Sequence, residues 1–253
     1  VMNIVTEIRH WRSLRQQLHG RQTGLVHTMG NLHDGHLSLC RRSLKENDVT
    51  VAAIFINPTQ FNRADDFELY PRTLDQDKIR LSEQGVDYLL LFNAEQLYPD
   101  HYQIQVSETE ISRVLEGEFR PGHFTGMLTI VLKFLNLVQP TRSYYGEKDY
   151  QQLQLIRKMA DALFLPVEII GCETVRAHDG LALSSRNSRL TDEQRDRAKH
   201  FPALLQSGLD PEEIAAQLTR RGFKVDYIAD QWQRRLGAVW LDQVRLIDNV
   251  IIK

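Results

Sequence analysis

Apolar positions along the chain fall into short blocks of two kinds. Residues 23–28 (TGLVHT) form a short extended segment, and 49–56 (VTVAAIFI) are apolar on both alternations, as in a strand covered on both faces. Between them, residues 35–46 put Leu37, Cys40 and Leu44 on one stripe, which predicts a helix. This strand–helix–strand unit closes at Asn57-Pro58, since proline restricts the residue before it and interrupts a ladder. The order then repeats. A helix is predicted at 73–84, a turn at Gly85, a strand at 86–91 (VDYLLL) and a largely buried helix at 124–138, closed by Pro140. A short strand around 143–145, a helix at 149–163 and a strand at 167–170 follow. Such alternation predicts an α/β fold, a parallel doubly wound sheet with helices on both faces.

The pattern changes after Arg186. Residues 191–200 are highly charged and open on an acceptable cap, and 211–222 reads as a helix with proline at its start and glycine at its end. Strand candidates at 224–229, 238–241 and 245–252 lie close together, which predicts a small α+β domain. The expected division is a Rossmann-like domain at 1–175 and a smaller one at 176–253.

Composition narrows the function classes. Lys plus Arg number 31 and Asp plus Glu 33, a net charge of -2 without any long basic block, so a nonspecific nucleic-acid binder is not expected. The apolar runs fall far short of the roughly 20 residues that span a bilayer, and Glu7 and Arg9 interrupt the place of a secretory signal. Cys40 and Cys172 lie in no CxxC or Cys/His cluster. A reducing, cytoplasmic setting is the simpler reading, with a single pairing left open.

The sharpest local feature is HTMGNLHDGHLSL at 27–39. Gly30 after a strand allows a tight turn, and His33 and His36 bracket Asp34-Gly35 at a helix start, where backbone donors and the positive helix end favour phosphate. The same histidines also read as capping groups, and less well as a metal pair, because HExxH spacing is absent. Neither GxGxxG nor GxxxxGK occurs. In GEKDYQQL, Gly146 permits close approach, Lys148 offers a compact charge and Asp149 an acceptor for ribose hydroxyls; a strand-to-helix turn with a solvated Lys-Asp pair is the alternative. ALSSRN, taken alone, reads as a turn.

HTMGNLHDGH is similar to the HxGH signature of adenylating nucleotidyltransferases. With IFINPTQF, YPRTLDQD, RPGHFTG, NLVQP, GEKDYQQL and DGLALSSRN in order, and RLIDNVI at 245–251, the chain resembles the pantothenate synthetase (pantoate and beta-alanine ligase) family. The resemblance is weak over 205–243. It implies ATP as substrate, Mg²⁺, pantoate and beta-alanine, a pantoyl adenylate intermediate, a homodimer, and a C-terminal domain closing the active site.

Carried over by residue, the resemblance implies that Met29, Gly30, Asn31, Leu32, His33, Asp34, Gly35 and His36 line ATP, with His36 as proton donor. Gly146, Glu147, Lys148 and Asp149 join them, with Val175 near adenine and Leu183, Ser184, Ser185 and Arg186 as a second phosphate clamp. His33, His36, Lys148 and Arg186 form the catalytic set, and Gln60 and Gln152 read pantoate. Asp77 approaches magnesium; the alternative for Asp75 and Asp77 is a negatively charged first helical turn. Tyr70 and Arg72 lie in the same block, and Arg120 and His123 border the substrate entrance. The chain departs from the family at His27, where proline is usual, at Leu183, where methionine is commoner, and at Gln76, which separates two aspartates. A nucleotidyltransferase with a phosphate-bearing acceptor and a nonenzymatic nucleotide sensor are the rival readings.

Overall fold

The computed structural model describes residues 1–252, which divide into two compact units. The first comprises Val1–Gly146 and Gln151–Cys172, and the second Glu147–Tyr150 and the described residues from Glu173 onward. The break in the chain thus falls after Cys172, three residues before the sequence placement, and one short segment belongs with the later unit.

In the first unit the elements run β1 (Asn3–Val5), α1 (Ile8–Gln17), β2 (Thr23–Thr28), α2 (Asp34–Glu46), β3 (Val49–Ile54), α3 (Ala64–Glu68), α4 (Leu74–Gln84), β4 (Tyr88–Leu90), α5 (Ala94–Leu97), α6 (Glu116–Phe119), α7 (His123–Val138), β5 (Arg142–Gly146), α8 (Tyr150–Ala162) and β6 (Glu168–Cys172). The sheet is parallel, as the alternation predicts, and its six strands stand in the order β1-β4-β3-β2-β5-β6. β2 and β3 are central, with Val26 and Ala52 paired and almost wholly buried. The stripe on α2 seats Leu37 and Cys40 in a core with Val26, Ala52, Leu81 and Leu89. Burial raises the Cys40 thiol to about 12, and the two cysteines form no disulfide.

β1 and α1 were not anticipated. Ile8, Trp11 and Leu18 do share a helical face, but short arms flanked by charge give a weak periodic signal. Trp11 is fully buried and its Nε1 donates to the Leu137 carbonyl at 2.8 Å, which ties α1 to α7.

The second unit contains α9 (Asp192–Ala198), α10 (His200–Leu205), α11 (Pro211–Arg220) and an antiparallel sheet, β7 (Lys224–Gln231), β8 (Arg234–Leu241) and β9 (Val244–Ile251). Phe201, Leu205, Ile214 and Leu218 pack on Val239, Leu241 and Leu246. β8 begins four residues earlier than its apolar run, because Arg234 and Arg235 are engaged by Glu147 and Asp230 rather than by solvent. No helix among the described residues is long and apolar enough to cross a membrane.

Candidate active site

The turn after β2 is built by its neighbours. Thr28 Oγ1 accepts from the Gly30 N–H at 3.0 Å, and Gly30 itself has φ +81°. A Cβ at Gly30 would meet Asp77 Oδ2 at 3.1 Å and Ile54 Cγ2 at 3.2 Å. Asp77, on the first turn of α4 and 2% exposed, accepts from Asn31 N at 2.9 Å and Leu32 N at 2.8 Å, one amide on each oxygen. Thr73 Oγ1 adds a third donor at 3.2 Å, and Arg80, one turn further along α4, donates to the Leu32 carbonyl. A carboxylate that accepts several N–H groups is a strong local clamp. Asp77 therefore fixes the backbone of the turn.

His33 caps α2. Its Nδ1 accepts from Gly35 N at 3.1 Å, while His36 Nδ1 accepts from His33 N at 3.3 Å, and the rings lie 4.0 Å apart. The capping and chemical readings of this pair are thus compatible. Because each Nδ1 is an acceptor, the proton of each neutral ring resides on Nε2, which becomes a donor.

Gln60 sits in a 3-10 turn, Pro58–Gln60, and is 8% exposed. Its Oε1 accepts from Asn57 Nδ2 at 3.2 Å, leaving Nε2 as the group available to a ligand. Asn57 is fully buried; it also donates to the Gly126 carbonyl at 3.1 Å and accepts from Tyr98 Oη at 2.9 Å. His123 Nδ1 lies 2.8 Å from the Gln60 carbonyl oxygen. α7 approaches so closely that a Cβ on Gly126 would stand 2.3 Å from the Thr59 carbonyl oxygen and 2.7 Å from Gln60 N. Gln152 lies on the first turn of α8. Its neighbour Gln151 holds Glu116 N and the carbonyls of Ile111 and Val114.

Arg120 pairs with the buried Glu116 at 3.3 Å. Tyr70 is buried against Phe61, Arg72 lies over Phe67, and Asp75 is exposed beside Lys78. These residues shape the first unit. His27 is the penultimate residue of β2, with its ring 4.5 Å from that of Phe134, and its Nε2, shut off from solvent, has no hydrogen-bond partner among the described residues. Burial lowers its pKa to about 4.

In the second unit, Glu147–Asp149 form one 3-10 turn, with Lys148 Nζ 3.7 Å from Asp149 Oδ1. Val175 and Leu183 are joined by Leu183 N donating to the Val175 carbonyl at 3.0 Å, across a hairpin whose tip is Gly180 at φ +83°. Ser184 then caps a 3-10 segment, Ser185–Arg189, by accepting from Arg186 N at 3.2 Å, and Asn187 Nδ2 holds the Ala182 carbonyl at 2.9 Å. The serine-rich stretch is thus a capped turn, and Ser185 is 8% exposed. The reading of ALSSRN as a turn describes its backbone.

A parallel sheet that delivers a glycine turn and a histidine-capped helix from the carboxyl end of a central strand defines an α/β protein that handles nucleotide phosphates. The model of the Pantoate-beta-alanine ligase family matches residues 1–251. This chain belongs to that family. It is 50% identical over 247 residues to the pantothenate synthetase of Coxiella burnetii (strain Dugway 5J108-111), covering 98% of this chain and 96% of the relative. It is 46% identical over 252 residues to that of Legionella pneumophila (strain Corby), covering 99% and 100%. The crystal structure of the pantoate-beta-alanine ligase from Francisella tularensis, complexed with beta-gamma ATP and beta-alanine, superposes with a TM-score of 0.95 at 40% identity, covering 99% and 98%. That of pantothenate synthetase from Thermus thermophilus gives 0.90 at 37%, covering 99% of each chain.

Proposed function

We propose that the residues described above carry out the family's reaction in two steps. The chain is an ATP-dependent ligase that joins pantoate to beta-alanine through a pantoyl adenylate. In the first step a pantoate carboxylate oxygen bonds to the α-phosphorus of ATP and the bond to pyrophosphate breaks. In the second, the beta-alanine amine bonds to the acyl carbon, AMP leaves with the bonding electrons, and the amine gives up a proton.

The observation that carries the residue assignment is the pair of imidazoles whose Nδ1 atoms cap α2. Their Nε2 donors, with His36 foremost, stabilise negative charge as it develops on the phosphate oxygens. Lys148, Ser184, Ser185 and Arg186 supply further donors to the departing pyrophosphate, and Asp149 accepts from the ribose. Val175 and Leu183 flank the base. Gln60 Nε2 donates to the pantoate carboxylate or hydroxyl, with Gln152 as the second reader. The Francisella relative, described with beta-gamma ATP and beta-alanine bound, supports this set of ligands.

Magnesium enters, in this reading, as the complex with ATP. Asp77 has both oxygens taken by backbone amides of the turn, so it suits the turn rather than the metal. A hard cation held by triphosphate oxygens and water needs no protein cage. A cytoplasmic homodimer completes the proposal, on the strength of family membership.

The deciding experiment supplies ATP, magnesium and pantoate without beta-alanine. Labelled pyrophosphate should exchange into ATP, the exchange should stop with a chelator, and beta-alanine should then release AMP and pantothenate in equal amounts. Exchange only with another acceptor would favour a different nucleotidyltransferase. No exchange and no pantothenate would overturn the assignment.

A further inference from the structure

The turn that bears Lys148 is held by a side chain about a hundred residues away. β5 ends at Gly146 and α8 begins at Tyr150, so Glu147–Asp149 have no strand partner. Asn249, on β9 and 2% exposed, reaches this turn with its amide nitrogen, donating to the Glu147 carbonyl at 2.8 Å and to the carbonyl of Lys148 itself at 2.9 Å. The Asn249 Oδ1 accepts from Arg234 Nη1 at 2.8 Å, and Arg234 Nη2 donates to Glu147 Oε2 at 2.7 Å. The same guanidinium lies 4.1 Å over the Tyr150 ring. Residues on either side of Lys148 are therefore gripped by one arginine.

Asn249 is itself fixed from behind. Its N–H donates to Asp248 Oδ1 at 2.7 Å, and its carbonyl accepts from Arg176 Nη2 at 3.2 Å. Arg176 binds the Asp248 carboxylate through two nitrogens, at 2.7 and 2.9 Å. Every polar group of Asn249 has a partner, and both donors of its amide serve the lysine turn. A planar amide with rigid support sets two consecutive carbonyls at once, and so sets the direction in which the Lys148 side chain departs.

We propose that Asn249, backed by Arg234 and Arg176, is a positioning residue for Lys148 in the adenylation step. The inference rests on the reading of Lys148 as a phosphate ligand. A lysine whose base shifts by about 1 Å loses its match to charge that exists only in the transition state, which lowers kcat while pantoate still binds.

The test compares parent, Asn249→Ala, Arg234→Gln, Lys148→Ala and the double variants with Lys148→Ala, by pantoate-dependent pyrophosphate exchange and thermal unfolding. Asn249→Ala should lower kcat by about tenfold to a hundredfold, with KM for pantoate within about twofold of the parent. In the Lys148→Ala background the same substitution should change kcat by less than about twofold, since the group it aims is gone. Arg234→Gln, which keeps the Asn249 amide, should show the same non-additivity with a smaller loss, and it carries the test if Asn249→Ala does not fold. Parent-like kcat in a folded variant, or losses that multiply with those of Lys148→Ala, would overturn the positioning role. Parent protein without pantoate-dependent exchange would overturn the ligase reading instead, and this inference with it.

Discussion

His33 and His36 each accept a backbone N–H through Nδ1, and that local bond decides what the opposite nitrogen presents. Two roles for His36 can therefore be separated by substitution. His36→Ala removes the acceptor for His33 N as well as the Nε2 donor, so stability should fall by about 1 kcal/mol, the usual worth of a helix cap. Adenylate formation should fall by about a hundredfold or more. His36→Gln can restore the reciprocal cap, because glutamine at the third helical position reaches back to the cap N–H. It should regain the stability but not the rate, as read by thermal melts beside pyrophosphate exchange; recovery of both would assign His36 to capping alone. The histidines were legible in sequence because glycine, spacing and the helix start coincide at 30–36. Asp77 was legible as a magnesium candidate or an acidic first turn, but not as the clamp of the glycine turn, since the amides it accepts are 45 and 46 residues away.

Elements meet tightly where α7 crosses the Pro58–Gln60 turn. Its alternation-free apolar run predicted a buried helix, and Gly126 lies inside it, where glycine costs about 1 kcal/mol relative to alanine unless packing demands it. Packing does demand it here, with the Thr59 carbonyl oxygen 2.3 Å from the site of a missing Cβ. Gly126→Ala must push backbone against backbone and move Gln60. Its expected effect is a KM for pantoate raised about tenfold with ATP binding near the parent value, checked by calorimetric titration of each ligand. Equal losses for both ligands would point to a broader disturbance of the fold. The sequence placed Gln60 through its NPTQF block, but Asn57, Tyr98 and His123 became visible as its supports only in three dimensions, because no periodic rule links 57 to 98 or 123. The C-terminal hairpins were blurred for a different reason. Their turns use Trp232, Gln233 and Asp242 at positive φ, where glycine or asparagine would have marked the bend.

Across the whole molecule, the parallel sheet follows from alternating periods, while His27 contributes to the response to acid. His27 is buried neutral, with its pKa lowered to about 4 by desolvation, against about 6.5 in the unfolded chain. Above pH 6.5 neither state takes the proton and the contribution to stability is fully present. As pH falls from 6.5 to 4 the unfolded chain binds a proton that the native chain excludes, at a cost approaching about 3 kcal/mol. Chemical denaturation across that range should show a steeper loss for the parent than for His27→Gln; identical slopes would remove His27 from the account. The amide of Asn249 has a consequence in time as well as in space. The lysine turn it grips is 101 and 102 residues earlier in the chain, so on a ribosome Lys148 is made long before its anchor. The parallel sheet is complete at Cys172, and it can form while that turn is still loose. If Lys148 holds phosphate as proposed, its aim is set only when the last hairpin zips, which makes the full rate of adenylation a late event of synthesis.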